Sequence, residues 1–434
     1  MAKKKLPAVN IVLDRIIGGG QTIGTLSEGK KCLVWGGLPG EEVTVQLTKK
    51  KSSYVEGYVT EVLKPSPKRI APRDEGSYLS TSPWQIMDFT AEEHYKSALI
   101  EEAFELHDIV LPQPIGVWSD GTEYGYRNKV EFSFWYDTEK KTLDLAFFRR
   151  GTHGKITVES TSLAAPIINT SAHAVLEALR GLSINGRSLK TLLIRSNRAG
   201  KVAWQLYVKD EDFEAAKVLE KAVSPEVVCA EIIYSNPKSP ASVITKRLAA
   251  TSDKILTDTI LDVPFRYATE GFFQINLPVY EQALRDMGEW VEPDKPVIDL
   301  YSGVGTIGLT IGGKHVTLVE LNERAVREME LNIFEHGREG EAHAVLSAAE
   351  AALEHINGDS TIIVDPPRTG LHEKLVEKLL ESEPKRIIYL SCSPVTQARD
   401  VAQLAEKYGI RHHRGYNFFP RTPHIEHLVI LDKK

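Results

Sequence analysis

Hydrophobic positions along the chain fall into three successive rhythms. The first is a set of short apolar runs separated by glycine-rich turns. Ile11–Leu13, Gly18–Gly20, Lys31–Trp35, Gly36–Gly40 and Glu42–Leu47 read as strand and turn in alternation, the grammar of a small β-barrel. Pro65 and Pro67 close that module. Glu92–His107 then carries Tyr95, Leu99, Ala103 and Leu106 at three-to-four spacing, which predicts a helix ended by Pro112 and Pro114. From Gly125 to about residue 265 the strands Lys129–Trp135 and Leu145–Phe148 mix with amphipathic stretches near 168–180 and 211–222, a mixed α+β region. The last third changes rhythm again. Pro296–Leu300, His315–Glu320, Thr361–Asp365 and Arg386–Leu390 are buried-type strands alternating with helical segments, which predicts an α/β domain built on a doubly wound parallel sheet.

Such sheets bind ligands beyond the carboxyl ends of their strands, so Asp299, Glu320, Asp365 and Ser391–Cys392 are expected to share one crevice. Gly303-Val-Gly305-Thr-Ile-Gly308 follows the first of these strands and precedes a helix, with Glu320 ending the next strand. That pattern suits a dinucleotide or S-adenosylmethionine, since a strand-end carboxylate can hold the ribose hydroxyls of either. Asp299 ahead of the glycines favours the cationic ligand over a pyrophosphate. Asp365-Pro366-Pro367-Arg368 is either a rigidly presented carboxylate or a simple strand terminator followed by a solvated arginine. Cys392 lies just past a strand, where a thiolate can meet a ligand; the bland alternative is a buried, inert thiol.

Composition removes several classes. The 434 residues are 42% hydrophobic and 26% charged, ordinary values for a globular chain with room for about three domains. Three cysteines, Cys32, Cys229 and Cys392, are too few for a disulfide framework, and a reducing cytoplasm is expected. No run approaches the roughly 18 apolar residues of a membrane helix, and the basic start Met1–Lys5 leads into Leu6-Pro7 rather than an apolar signal core. Neither a membrane nor a secretion route is expected. The net charge of −6 conceals an asymmetry: residues 1–73 hold 13 Lys and Arg against 6 Asp and Glu, and the remainder 40 against 53. A basic first module suggests a polyanion partner, with solvated lysines as the alternative. Lys49, Lys50 and Lys51 beside Tyr54 and Tyr58 mix cations and aromatics as single-stranded nucleic-acid grooves do.

Three motifs then give the chain a specific likeness. Asp365-Pro-Pro-Arg-x-Gly370 stands 16 residues before Ile387-Ile-Tyr-x-Ser-Cys392; Phe419-Pro-Arg-Thr-Pro-His-Ile-Glu426 lies near the end; Gly271-Phe-Phe-Gln-Ile-Asn276 lies upstream. Together they resemble the RNA 5-methyluridine (uracil-C5) methyltransferases, enzymes with a Rossmann-like S-adenosylmethionine-dependent domain. The resemblance spans nearly the whole chain: residues 1–66, with the Leu38-Pro-Gly-Glu41 turn, are similar to the TRAM domain, an RNA-binding barrel, and Tyr126–Lys129 to part of the family's central, RNA-contacting domain. It implies a barrel over 1–66, a central α+β domain over 67–265 whose helix 92–107 docks on the catalytic domain, and a methyltransferase domain over 266–434.

The resemblance also implies roles. Cys392 is the nucleophile that adds to uracil C6, and Glu426 the base that removes the C5 proton. Gln274, Tyr301, Glu320 and Asp365 contact the donor, with Gly303 and Gly305 forming its loop. One of the pair Phe272–Phe273 sits near the target base, a place assigned to Phe273, and Arg127, Lys129 and Lys49–Lys51 are the expected RNA contacts. RNA is the partner, 23S ribosomal RNA first and transfer RNA as the alternative, and the protein is expected to act as a monomer. Relatives with an iron-sulfur cluster carry cysteines where Arg73–Gln85 and Val158–Leu163 have none, so no cluster is expected. Ser302, Thr306 and Ser393 depart from the family pattern, and Ser347–Glu350 lacks an acidic residue that relatives use, so no adenine contact is assigned there. His412, His413, His424 and His427 lack a ligand pattern and are read as structural, with no metal expected. A cytosine-5 methyltransferase would carry a cysteine where Arg368 stands. A noncatalytic RNA-binding or chaperone protein on a relic donor fold would keep the barrel and lose the chemistry of Cys392.

Overall fold

A computed structural model describes residues 6–152 and 154–434; the basic Met1–Lys5 start lies outside the described residues. Five strands, Ala8–Ile16, Thr22–Thr25, Lys31–Trp35, Tyr54–Lys64 and Glu42–Lys50 in that spatial order, close into a barrel. Their alternate residues Ile11, Leu13, Cys32, Val34, Val43, Val45 and Val55 fill its interior. Closure leaves no strand edge unpaired.

A seven-stranded sheet follows, in the order Lys246–Ala250, Val227–Tyr234, Val202–Val208, Leu189–Ser196, Lys129–Asp137, Thr142–Phe148, Lys155–Thr157. The helices Pro166–Gly181 and Ala215–Ala222 cover one face, where Ile168, Val175 and Val218 meet Phe132, Ile194, Trp204 and Ile232. A hairpin, Leu256–Ile260 with Val263–Tyr267, then leads to the helix Leu277–Gly288.

The last sheet has eight strands in the order Ala342–Leu346, Val316–Glu320, Val297–Leu300, Thr361–Val364, Arg386–Ser391, Glu426–Lys433, Tyr408–Tyr416, Val117–Trp118. The first five are parallel, and Glu426–Lys433 runs antiparallel between Arg386–Ser391 and Tyr408–Tyr416. The four parallel strands predicted from sequence recur within one residue at each end, because strands buried on both faces read as continuous apolar runs. The expected α/β fold with a barrel and a central α+β region is the fold observed.

The helix predicted over 92–107 spans Phe89–Glu105 and starts earlier because Asp88 caps it, accepting from the Ala91 N–H at 2.8 Å. Of the predicted stripe only Ala103 is fully buried, with Lys96, Ile100 and Phe104 completing the buried face and Leu106 exposed. A buried Glu92–Lys96 ion pair occupies one turn of that face, which hides it from a hydrophobic pattern. Ile100 and Phe104 pack among Ile298, Leu300, Tyr389 and Leu404 of the last domain, each contributing roughly 1.5–3 kcal/mol of burial.

Candidate active site

The carboxyl ends of the parallel strands open onto a cavity of about 1230 Å³. Sheet register assembles its inner wall. Ser391 is paired with His427, so the next positions, Cys392 and Glu426, face each other across two antiparallel strands. Val364 is paired with Tyr389 on the other side, which sets Asp365 beside them. Cys392, Glu426 and Asp365 all line the cavity, as do Gln274, Tyr301, Gly303 and Glu320. Residues from six separate segments, up to 152 positions apart between Gln274 and Glu426, thus meet at one place.

The donor-loop side is shaped by backbone hydrogen bonds. Glu320 accepts from the N–H of Gly303 at 3.0 Å and of Asn322 at 2.7 Å, holding the glycine loop against the end of its own strand. Gly303 and Gly305 both have left-handed φ, +58° and +89°; a Cβ on Gly305 would stand 2.9 Å from Leu309 Cδ1, whereas nothing crowds Gly303. Tyr301, at φ +65°, is a non-glycine residue held in the same region at the cavity edge. Asp299 corrects the expectation that it faces a ligand. It is fully buried and accepts from the Gly308 N–H at 2.9 Å, bracing the first turn of helix Thr306–Ile311, and does not line the cavity. Burial pushes its carboxyl up to about 8.

On the chemical side, burial raises the Glu426 carboxyl well above its usual range, with Asp365 adding repulsion and Arg368 opposing it; Glu426 Oε2 is buried without a hydrogen-bond partner. Burial likewise pushes Asp365 up to about 7. The Cys392 thiol is pushed up to about 11 by burial and then by the charges of Glu426 and Asp365, and Arg368 beside it works in the opposite direction. Since only the thiolate reacts, Cys392 in the ligand-free protein is held mostly in its unreactive thiol form near neutral pH. Alkylation of Cys392 by iodoacetamide in the ligand-free protein should therefore accelerate about tenfold per pH unit from 7 to 10, and Arg368→Met should slow it at every pH. Peptide mass spectrometry of the modified chain checks this; a plateau near pH 8 would contradict it.

Two aromatic neighbours exchange places relative to expectation. Phe273 is 2% exposed and stacks on Tyr267 with ring centroids 3.8 Å apart, so it belongs to the core and not to an RNA contact. Phe272 is 71% exposed and lines the cavity. Gly271–Asn276 belongs to no strand or helix, so no regular period in the sequence says which of the two rings is inward. Lys129 is half-buried, and its ammonium donates to the carbonyls of Glu270 at 3.2 Å and Gly271 at 3.3 Å. It supports the Phe272 segment from beneath instead of standing free for a phosphate, and burial lowers it to about 8. Arg127 is half-buried and outside the cavity lining. Lys49, Lys50 and Lys51 are exposed on the barrel, with Lys49 paired to Glu56 at 3.0 Å.

Arg368, solvated under the strand-terminator alternative, is on the cavity wall, 3.3 Å from His424 Nδ1. Glu350 and Ala348, in the segment to which no adenine contact was assigned, also line the cavity. His413 and His427 are buried and 3.2 Å apart, and His427 Nδ1 meets Gln397 Oε1 at 2.7 Å.

A family model described as tRNA (Uracil-5-)-methyltransferase matches residues 94–434. The chain belongs to that family. It is an RNA methyltransferase by that membership, in agreement with the likeness carried by the three motifs. An uncharacterized RNA methyltransferase of Enterococcus faecalis is 30% identical over 424 residues, 91% of each chain. One of Lactobacillus johnsonii is 29% identical over 437 residues, 94% of each. The solved structure of Pyrococcus abyssi tRNA (uracil-54, C5)-methyltransferase in complex with S-adenosyl-L-homocysteine is 21% identical and superposes with a TM-score of 0.79 over 97% of this chain and 100% of that one. The shared fold therefore includes the barrel as well as the two larger sheets.

Proposed function

We propose that the chain methylates C5 of a uridine in RNA through a covalent adduct on Cys392, with S-adenosylmethionine as donor and Glu426 as base. The observation that carries this reading is the convergence of one thiol and two carboxylates, from three neighbouring strands, on the wall of a single large cavity. Uracil C5 is a weak nucleophile until C6 is attacked. Addition of the Cys392 sulfur to C6 makes C5 enolate-like and able to take a methyl group.

The cavity fits a sulfonium ligand: it presents the carboxylates of Glu320 and Asp365 and the buried, unpartnered Oε2 of Glu426. Gln274, Tyr301, Glu320, Asp365 and the Gly303–Gly305 loop are the residues that would hold it. Bound there, S-adenosylmethionine supplies an electrophilic methyl carbon. Glu426 then takes the C5 proton from the methylated adduct, the C–H electron pair re-forms the C5–C6 double bond, and the C6–S bond breaks to return the thiolate. In the ligand-free chain, burial and Asp365 both favour the protonated form of Glu426, so a cation that neutralises Asp365 prepares Glu426 to act as the base.

The target base must leave any stack to reach Cys392, and the exposed ring of Phe272 is placed to receive it. Arg127 and the lysines at 49–51 are proposed contacts for the rest of the RNA. Ribosomal RNA is proposed as the substrate on the likeness of the barrel to a TRAM domain. A second reading, transfer RNA, is favoured by the Pyrococcus enzyme, which shares the barrel and by its name acts on a tRNA. Incubation with methyl-labelled S-adenosylmethionine and separate pools of ribosomal and transfer RNA, followed by nucleoside mass spectrometry, should yield label only as 5-methyluridine. The labelled pool names the substrate class, and label on any other nucleoside would sink the reading.

A further inference from the structure

The Phe419–Glu426 motif lies in an irregular turn between the strands Tyr408–Tyr416 and Glu426–Lys433, and the groups that hold this turn come from far upstream. Glu92 and Lys96, one turn apart on the helix Phe89–Glu105, form an ion pair at 2.9 Å with both side chains fully buried. The Lys96 ammonium donates to Asn417 Oδ1 at 2.5 Å and to the Phe419 carbonyl at 3.1 Å. The Glu92 carboxylate accepts from Asn417 Nδ2 at 3.0 Å and from the Arg421 N–H, whose nitrogen is 3.0 Å from each of its oxygens. Arg421 is itself buried with a left-handed φ of +66°, and its guanidinium donates to the Met87 carbonyl at 2.7 Å and pairs with Glu123.

Stability alone does not call for such a pair. Two charges taken out of water lose about as much as they gain, and apolar side chains of similar volume commonly do as well or better. What a polar cluster with its charged groups hydrogen-bonded to one another does supply is a single geometry, here with the Arg421 Nε left buried without a partner. Here that geometry is imposed on a turn with a direct line to the chemistry. Phe419 lines the cavity, Asn276 Nδ2 bonds the Phe418 carbonyl at 3.2 Å and so ties the turn to the Gln274 segment, and Glu426 begins the strand five residues after Arg421.

We propose that Glu92 and Lys96 are positioning residues for the general base: acting through Asn417 and Arg421, they set the turn that aims Glu426 at the C5 proton of the methylated adduct. The inference rests on the reading of Glu426 as that base. It assigns the two residues to adduct resolution rather than to adduct formation, a division a merely structural role would not produce.

The test follows both steps with RNA and S-adenosylmethionine: the covalent protein–RNA species on denaturing gels, and free 5-methyluridine by mass spectrometry. Lys96→Met keeps the stem and removes the charge. The expected result is adduct formation within about threefold of the unmodified protein, resolution slowed at least tenfold, and an adduct band that persists. Rescue by Lys96→Arg is not expected, because the wider guanidinium cannot meet Asn417 Oδ1 and the Phe419 carbonyl in the same space. Asn417→Ala, which removes the Asn417 bonds to both ions and leaves the ion pair and its direct bonds to the Phe419 carbonyl and the Arg421 N–H, should give the same pattern in weaker form and decides the matter where Lys96→Met does not fold. Formation and resolution falling in equal proportion in the folded variants, or resolution unchanged, overturns the proposal, as does failure of both variants to fold. Glu426→Gln is the control: if it accumulates no adduct, the assignment of the base has failed, whereas a persistent adduct in Glu426→Gln with normal resolution in Lys96→Met removes only this inference.

Discussion

Replacing Cys392 by alanine should abolish 5-methyluridine formation, lowering kcat/KM by roughly 10⁴-fold or more, the scale on which removal of a covalent nucleophile acts. The reason is specific to the base: without addition at C6, C5 has too little electron density to take a methyl group, and no other group on the cavity wall can substitute. Glu426 and Asp365 are the near neighbours, and both are carboxyls that burial drives toward their protonated forms. Deleting one sulfur atom at a half-buried position costs little packing, so the variant should fold and bind RNA normally. Steady-state methylation with labelled donor, together with RNA binding by gel shift, measures both. Retained methylation would place the chemistry elsewhere; retained RNA binding with no methylation is the expected result, and also excludes a passive RNA-binding role for the thiol.

The second large effect belongs to Glu426→Gln. The amide is nearly isosteric and removes the proton acceptor, so turnover should drop by about 10²–10⁴-fold, the usual worth of a positioned general base. The loss should appear late in the cycle. Cys392 still adds to C6 and C5 is still methylated, but the proton stays on C5 and the C6–S bond cannot break, so a stoichiometric protein–RNA adduct accumulates. A burst of label bound to protein, stable to denaturant, with little free 5-methyluridine is the expected observation. A variant that loses the burst as well would make Glu426 necessary for addition, and the role of proton acceptor would pass to another group.

Much of this site was legible because its parts sit where parallel strands end. Glu320, Asp365 and Cys392 each follow a short, wholly apolar run, and such runs have only one place in a doubly wound sheet. Glu426 was not legible in that way. Its strand begins with it, and its approach to Cys392 depends on an antiparallel register between Arg386–Ser391 and Glu426–Lys433 that no local pattern announces. Only the likeness of the motif pointed to it.

Other misreadings have equally local causes. Asp299 has the residue type and spacing of a ligand carboxylate, yet it is buried and accepts from the Gly308 N–H in the first turn of the helix that follows. Phe272 and Phe273 are identical in type, and an irregular segment decided which of them faces the cavity. The helix Phe89–Glu105 buries a glutamate and a lysine, the two residue types that a hydrophobic pattern assigns to water. The two-residue strand Val117–Trp118 is too short to leave any signature. Phe419, by contrast, was carried by the same motif as Glu426 and lines the cavity beside it.

Covalent attack by Cys392 on a uridine is tested directly by one trapping experiment. RNA transcribed with 5-fluorouridine carries no removable proton at C5 after methylation, so any adduct formed must persist. Incubation with S-adenosylmethionine, nuclease and protease digestion, and tandem mass spectrometry should find a methylated fluorouridine attached to the peptide that contains Cys392, with no adduct from Cys392→Ala. Attachment to another residue, or no adduct with RNA that is methylated when it carries ordinary uridine, would contradict covalent catalysis by Cys392.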